Sequence, residues 1–119
     1  GYTDYSISDV RLDKKELSER EKIVAEVTVK NIGDRTGTEI IQLYIHDVAA
    51  SVVRPVKQLK GYKRITLQPG EEAVVKFEIK EEMLRFYMEN GEWGSEPGKF
   101  EVMIGRDSST ENKKMFTLI

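Results

Sequence analysis

Apolar residues recur at every second position through most of this 119-residue chain, and that period most constrains its fold. Side chains alternate sides along a β-strand, so a period of two marks strands with one face buried. Ile23, Ala25, Val27 and Val29 share one face of the run Ile23–Lys30. Ala73, Val75, Phe77 and Ile79 do the same downstream, as do Phe100, Val102 and Ile104. In the run from Ile40 to His46, Ile41, Leu43 and Ile45 point inward, and Gln42, Tyr44 and His46 outward. Phe116 and Leu118 complete the inward set near the C-terminus. Tyr5 and Ile7 share one parity and Val10 and Leu12 the other, which predicts a bulge or bend near Ser8-Asp9.

Turn signals separate these runs. Asn31–Gly37 divides the second strand from the third. Pro69-Gly70 suits a type II turn, with proline presetting φ and glycine accepting a positive φ. Asn90-Gly91 predicts a two-residue type I′ hairpin between Phe86–Met88 and Glu92-Trp93. Pro97-Gly98 opens the strand at Phe100, and Glu81–Arg85 is the one helix candidate, about a turn long. Seven main strands with turns at this spacing predict a single all-β domain over residues 1–119. The architecture is a seven-stranded antiparallel β-sandwich of the fibronectin type III or immunoglobulin kind.

Composition removes several function classes. Hydrophobic residues make up 39%, enough for one core. The net charge of −2 argues against nucleic acid as a partner. No apolar run approaches the roughly 18–20 residues of a membrane helix, so no membrane partner is expected. The N-terminal residues lack the pattern of a signal peptide, and the compartment stays open. With no cysteine, disulfides and thiolate chemistry are absent, and no cofactor or metal site is expected.

Catalytic material is sparse. His46, the only histidine, lies beside Asp47, a pairing that elsewhere orients a general base. Adjacent strand residues face opposite ways, so the plainer reading is an outward histidine at a strand end. Glu71, Glu72, Glu78, Glu81 and Glu82 cluster in sequence but read as a solvated edge. A glycosidase pair would need a sugar-sized cleft with carboxyls about 5–10 Å apart.

Two binding surfaces suggest themselves. Tyr87 and Trp93 meet across the predicted hairpin and offer a glycan platform, set against the plainer reading that Trp93 folds down and fills the sandwich end. The stretch from Ser51 to Arg64 carries five cations and no acid. It reads either as an edge strand blunted by lysines and Pro55, or as a docking surface. The docking set is Val53, Arg54, Pro55, Lys57, Leu59, Lys60, Gly61 and Tyr62.

The ordered run from Gln42 through Leu43-Tyr44-Ile45-His46-Asp47 and Arg54-Pro55-Val56-Lys57-Gln58-Leu59-Lys60-Gly61 resembles the C-terminal fibronectin type III-like domain of family 3 glycoside hydrolases. This is the family of β-glucosidases and β-xylosidases. Val27–Asp34, Leu67–Glu71 and Glu96–Val102 resemble the same domain, as does the entry at Tyr2 to Val10. Tyr5 and Tyr62 stand where that family commonly has phenylalanine.

The resemblance implies an accessory domain without catalytic residues, cut from the C-terminal end of a larger hydrolase, with Gly1 a remnant of the excision. Its partners would then be the parent's barrel and α/β domains, on which it packs and which it stabilises. Two alternatives belong to other classes. One is a carbohydrate-binding module using Tyr87 and Trp93; the other is a protein-interaction or adhesion sandwich.

Overall fold

The computed structural model describes residues 4–48 and 57–119. The strands in chain order are β1 (Tyr5–Ile7), β2 (Arg11–Leu12), β3 (Glu16–Leu17), β4 (Lys22–Asn31), β5 (Gly37–Asp47), β6 (Gln58–Leu67), β7 (Glu72–Lys80), β8 (Phe86–Tyr87), β9 (Trp93–Gly94), β10 (Gly98–Gly105) and β11 (Lys113–Leu118). A 3-10 turn, Glu81–Leu84, follows β7. Among the described residues seven strands have three residues or more and four have two, and β6 is the edge strand that the sequence left open against a docking surface.

One sheet centres on β4, which pairs with β7 along one side and with β1 and then β2 along the other. The second sheet runs β3-β11-β10-β5-β6. One pairing departs from the antiparallel expectation: β3 lies parallel to β11. After β2 leaves β4, the chain crosses to the opposite sheet and enters β3 in the direction in which β11 leaves. Backbone hydrogen bonds from Thr117 N to Lys15 O and from Ile119 N to Leu17 O hold this short parallel step, each 2.9 Å.

The alternating residues fill the space between the sheets. Ile23, Ala25, Val27 and Val29 of β4 face Ile41 and Leu43 of β5 and Val102 and Ile104 of β10 across one apolar cluster. Phe100 and Phe116, opposed on β10 and β11, stack with centroids 5.6 Å apart. Each fully buried side chain of this size stabilises the fold by about 1.5–3 kcal/mol. On the outer face, Lys22–Glu78 and Arg11–Glu26 form exposed ion pairs at 2.6 and 3.1 Å. Such pairs are worth about 0–1 kcal/mol each, so apolar burial decides the fold.

The predicted bend at Ser8-Asp9 is present, between β1 and β2. Asn112 fastens it: Nδ2 donates to Ser8 O at 2.9 Å, and Oδ1 accepts from Val10 N at 3.2 Å. Pro69-Gly70 forms the expected turn, with Gly70 at φ 80° and Glu71 N bonded to Gln68 O. The second hairpin differs from expectation. A type I′ turn would need Asn90 at positive φ, but among the described residues only glycines have positive φ. Gly91 N donates to Met88 O and Met88 N to Glu92 O, both at 2.8 Å, with Gly91 at φ 83°. The loop is therefore the three-residue form, a tight turn followed by a glycine bulge. Glycine takes the left-handed position there, and Asn90 is spared its cost of about 1–2 kcal/mol.

Candidate functional site: an exposed face on an edge strand

β6 is an edge strand of the five-stranded sheet, bonded on one side to β5. Its register contains one irregularity: Leu43 pairs with Gly61, and Tyr44 with Leu59. Lys60 is thereby the extra residue of a β-bulge. Leu59 and Tyr62 are three positions apart, and a regular strand would put them on opposite faces. The bulge sets Leu59 opposite Tyr44 and Tyr62 opposite Gln42, both outward positions of β5. Leu59 is 51% and Tyr62 67% exposed. Ile40 of β5, on the same face, is also exposed. Two apolar side chains of β6 and one of β5 thus stand on the outer face of the sheet beside what is, among the described residues, its open edge.

The rest of the docking set divides. Val53, Arg54 and Pro55 lie outside the described residues. Lys57 turns back onto the domain, where its ammonium donates to Thr110 O at 3.2 Å and lies 5.7 Å from the Tyr44 ring centre. Tyr44 is thus buried on the outer face, beside the equally buried Met103 with which it pairs, and is not an exposed aromatic. Gly61 is half-buried at the side of the sandwich, where an added Cβ would lie 3.4 Å from the Phe77 ring of the other sheet. Lys63 opposes the inward Ile41, and its ammonium lies 5.5 Å from the Phe77 ring centre. A charge placed along the inner edge of a strand discourages further strand pairing. Among the described residues of this stretch, Lys57 and Lys63 fold back onto the domain, and exposed Arg64, opposite Ile40, shares the outward face with Leu59 and Tyr62.

His46 engages Glu101. Its Nδ1 donates to Glu101 Oε1 at 3.1 Å on the next strand, and Lys113 reaches the other carboxylate oxygen at 3.2 Å from the strand beyond. The His46 hydrogen bond, aided by Lys113, holds the Glu101 carboxyl below its ordinary pKa. The arrangement ties three neighbouring strands on their outer face. Among the described residues no group of three or more histidine, aspartate and glutamate side chains is placed to hold a metal.

The acidic cluster is not uniformly solvated. Glu72 pairs with Lys30 and Glu78 with Lys22, but Glu81 is buried, at 6% exposure. Both of its oxygens accept from Arg85, at 2.9 and 2.7 Å, and Ser95 Oγ donates at 2.6 Å. These bonds, Arg85 foremost, hold its carboxyl below the ordinary value against the opposing effect of burial. The spacing of four between Glu81 and Arg85 is the signal in the sequence that marks this pair.

Trp93 is a further correction. It does not fill the sandwich end and is 57% exposed. Tyr87 and Trp93 are directly opposed on β8 and β9, so both stand on one face of this separate ribbon. Phe86 and Gly94 take the other face, and both are half-buried. Leu84, from the 3-10 turn, is the side chain that enters the core here.

Two sheets in this order, packed over one apolar layer, define a β-sandwich of the immunoglobulin and fibronectin class. A family model described as a fibronectin type III-like domain matches residues 39–108, and the chain belongs to that family. The periplasmic β-glucosidase of Salmonella typhimurium is 45% identical over 118 residues, which span 99% of this chain and 15% of that protein. A putative β-xylosidase of Formosa agariphila is 40% identical over 98% of this chain and 16% of its own length. The crystal structure of a β-glucosidase from Listeria innocua in complex with glucose superimposes with a TM-score of 0.89. It has 39% identity over 98% of this chain and 16% of that one. The resemblance read from Gln42 to Gly61 is borne out by these relatives.

Proposed function

We propose that this chain is a non-catalytic accessory domain of a family 3 glycoside hydrolase of the β-glucosidase type. In this reading it docks through the outer side of β6 on the neighbouring domains and stabilises them. The carrying observation is the bulge at Lys60, which turns both Leu59 and Tyr62 outward. Exposed apolar side chains set among charges match the core and rim of a protein interface. The lengths agree: the named hydrolases carry about six-sevenths of their residues outside the matching segment, where a barrel and an α/β domain have room. Lys22–Glu78, Lys30–Glu72 and the His46–Glu101–Lys113 group pair across strands, as in a structural module.

The test is the double variant Leu59→Ser/Tyr62→Ser in the full-length hydrolase. The expected result is a lower melting temperature and faster protease release of this domain. The same variant of the 119-residue chain alone should unfold as the parent chain does, because neither side chain supports its core. Unchanged melting and protease resistance in the full-length enzyme would sink the docking role.

A further inference from the structure

The β8–β9 ribbon has no part in the docking face. Tyr87 is 73% and Trp93 57% exposed, and their ring centres are 4.8 Å apart with planes tilted by 59°. A two-stranded ribbon of this length is marginal by itself. Its position is set from its base, where Glu81 holds Arg85 before β8 and Ser95 after β9. It is set again at the tip by the bonds from Gly91 N and Met88 N and by Glu92 N donating to Asn90 Oδ1 at 2.9 Å. Two large apolar rings are thus held in water on a fixed mount, at no benefit to the core.

We propose that Tyr87 and Trp93 form a stacking site for a neutral pyranose ring of a β-linked oligosaccharide. The tilt leaves each ring an open face and prevents one continuous platform, so the site suits one sugar ring meeting two surfaces at an angle. A pyranose has an apolar C–H face about the size of one aromatic ring and a hydroxyl rim that needs hydrogen-bonding neighbours. Glu89, Asn90 and Glu92 at the tip and Glu96 beyond β9 are all exposed and carry such groups. Three of these four are acids, which disfavours an anionic ligand: nucleic-acid bases stack on aromatics only where cations accompany the backbone. The exposure of both rings disfavours an apolar peptide, which would need an enclosing groove. Rigid aromatics lose little freedom on binding, so even a small contact retains affinity. The choice of a β-linked sugar rests on the hydrolase reading, whereas the site itself does not depend on the docking face.

Trp93 is the only tryptophan, so its fluorescence reports on this site alone. The experiment titrates the purified chain with β-linked gluco- and xylo-oligosaccharides while following that emission. The expected result is a saturable change with a midpoint in the millimolar range, moved at least about tenfold higher by Tyr87→Ala. The melting temperature of Tyr87→Ala should stay near that of the parent chain, because the ring is exposed. No sugar-dependent change overturns the proposal, as does an equal response from Tyr87→Ala. A Trp93 emission already blue-shifted and shielded from quencher in the full-length hydrolase also overturns it, since another domain then covers the ring. The docking test uses other residues and other readouts, so either idea can fail alone.

Discussion

Tyr5 and Asn31 are opposed on β1 and β4, and both reach across the sandwich to one residue of the other sheet, Leu67. The Tyr5 hydroxyl accepts from Leu67 N at 3.2 Å and donates to Gly37 O at 2.6 Å. Asn31 Nδ2 donates to Leu67 O at 2.9 Å and to Arg35 O at 2.9 Å, and Oδ1 accepts from Gly33 N at 2.9 Å. Asn31 is completely buried, yet none of its side-chain polar atoms lacks a partner. Polar groups buried and satisfied in this way rigidify a core and set its alignment, here locking where β5 begins and β6 ends.

Tyr5→Phe retains the ring and removes the hydroxyl. Leu67 N and Gly37 O then lose a partner at the buried end of the sandwich. Urea unfolding of the variant chain should show a loss of about 1–3 kcal/mol. A change within experimental error would show that water replaces the hydroxyl.

Asn31→Leu should cost more, at least about 2 kcal/mol, because two carbonyls and one N–H are orphaned together. In the Tyr5→Phe/Asn31→Leu double variant the losses should not add, since both act on Leu67. Strict additivity in a double-mutant cycle would refute the shared tie.

Gly70→Ala tests the turn. No atom lies within 4 Å of where the new Cβ would be, so only the backbone at φ 80° opposes it. The expected cost is about 1–2 kcal/mol by thermal or urea unfolding, with no change in the fold seen by circular dichroism.

Acid should weaken the ribbon mount. The folded-state pKa of Glu81 is depressed below its ordinary 4.5, so its stabilisation is present above that value. It is lost as pH falls through the lower folded-state pKa. Glu101 behaves in the same direction. Stability against pH should therefore drop below about 4.5, and the drop should be shallower in Glu81→Gln. An identical pH profile in that variant would show that the carboxylate is not the sensor.

Much of the fold was legible because burial repeats with the pleat. Ile23, Val27, Ile41, Leu43 and Val102 were read from parity alone and are all fully buried. The bend at Ser8-Asp9 was legible for the same reason, since a change of parity requires a break. Trp93 was misread because apolar character does not say which face of a short ribbon its pairing will present. Glu81 was misread because a carboxylate is buried only when its partners are brought to it, and Ser95 is fourteen residues away.

The sequence by itself determined most strands, their inward faces and most turns, which depend on local period, and the likeness to fibronectin type III-like domains, which depends on residue order. Tertiary structure decided the rest. Only pairing with β5 shows that Lys60 is the extra residue, and only that bulge puts Leu59 and Tyr62 on one side. A register shift costs little in local propensity but exchanges faces, so it is set by the neighbouring strand and not by the strand's own residues.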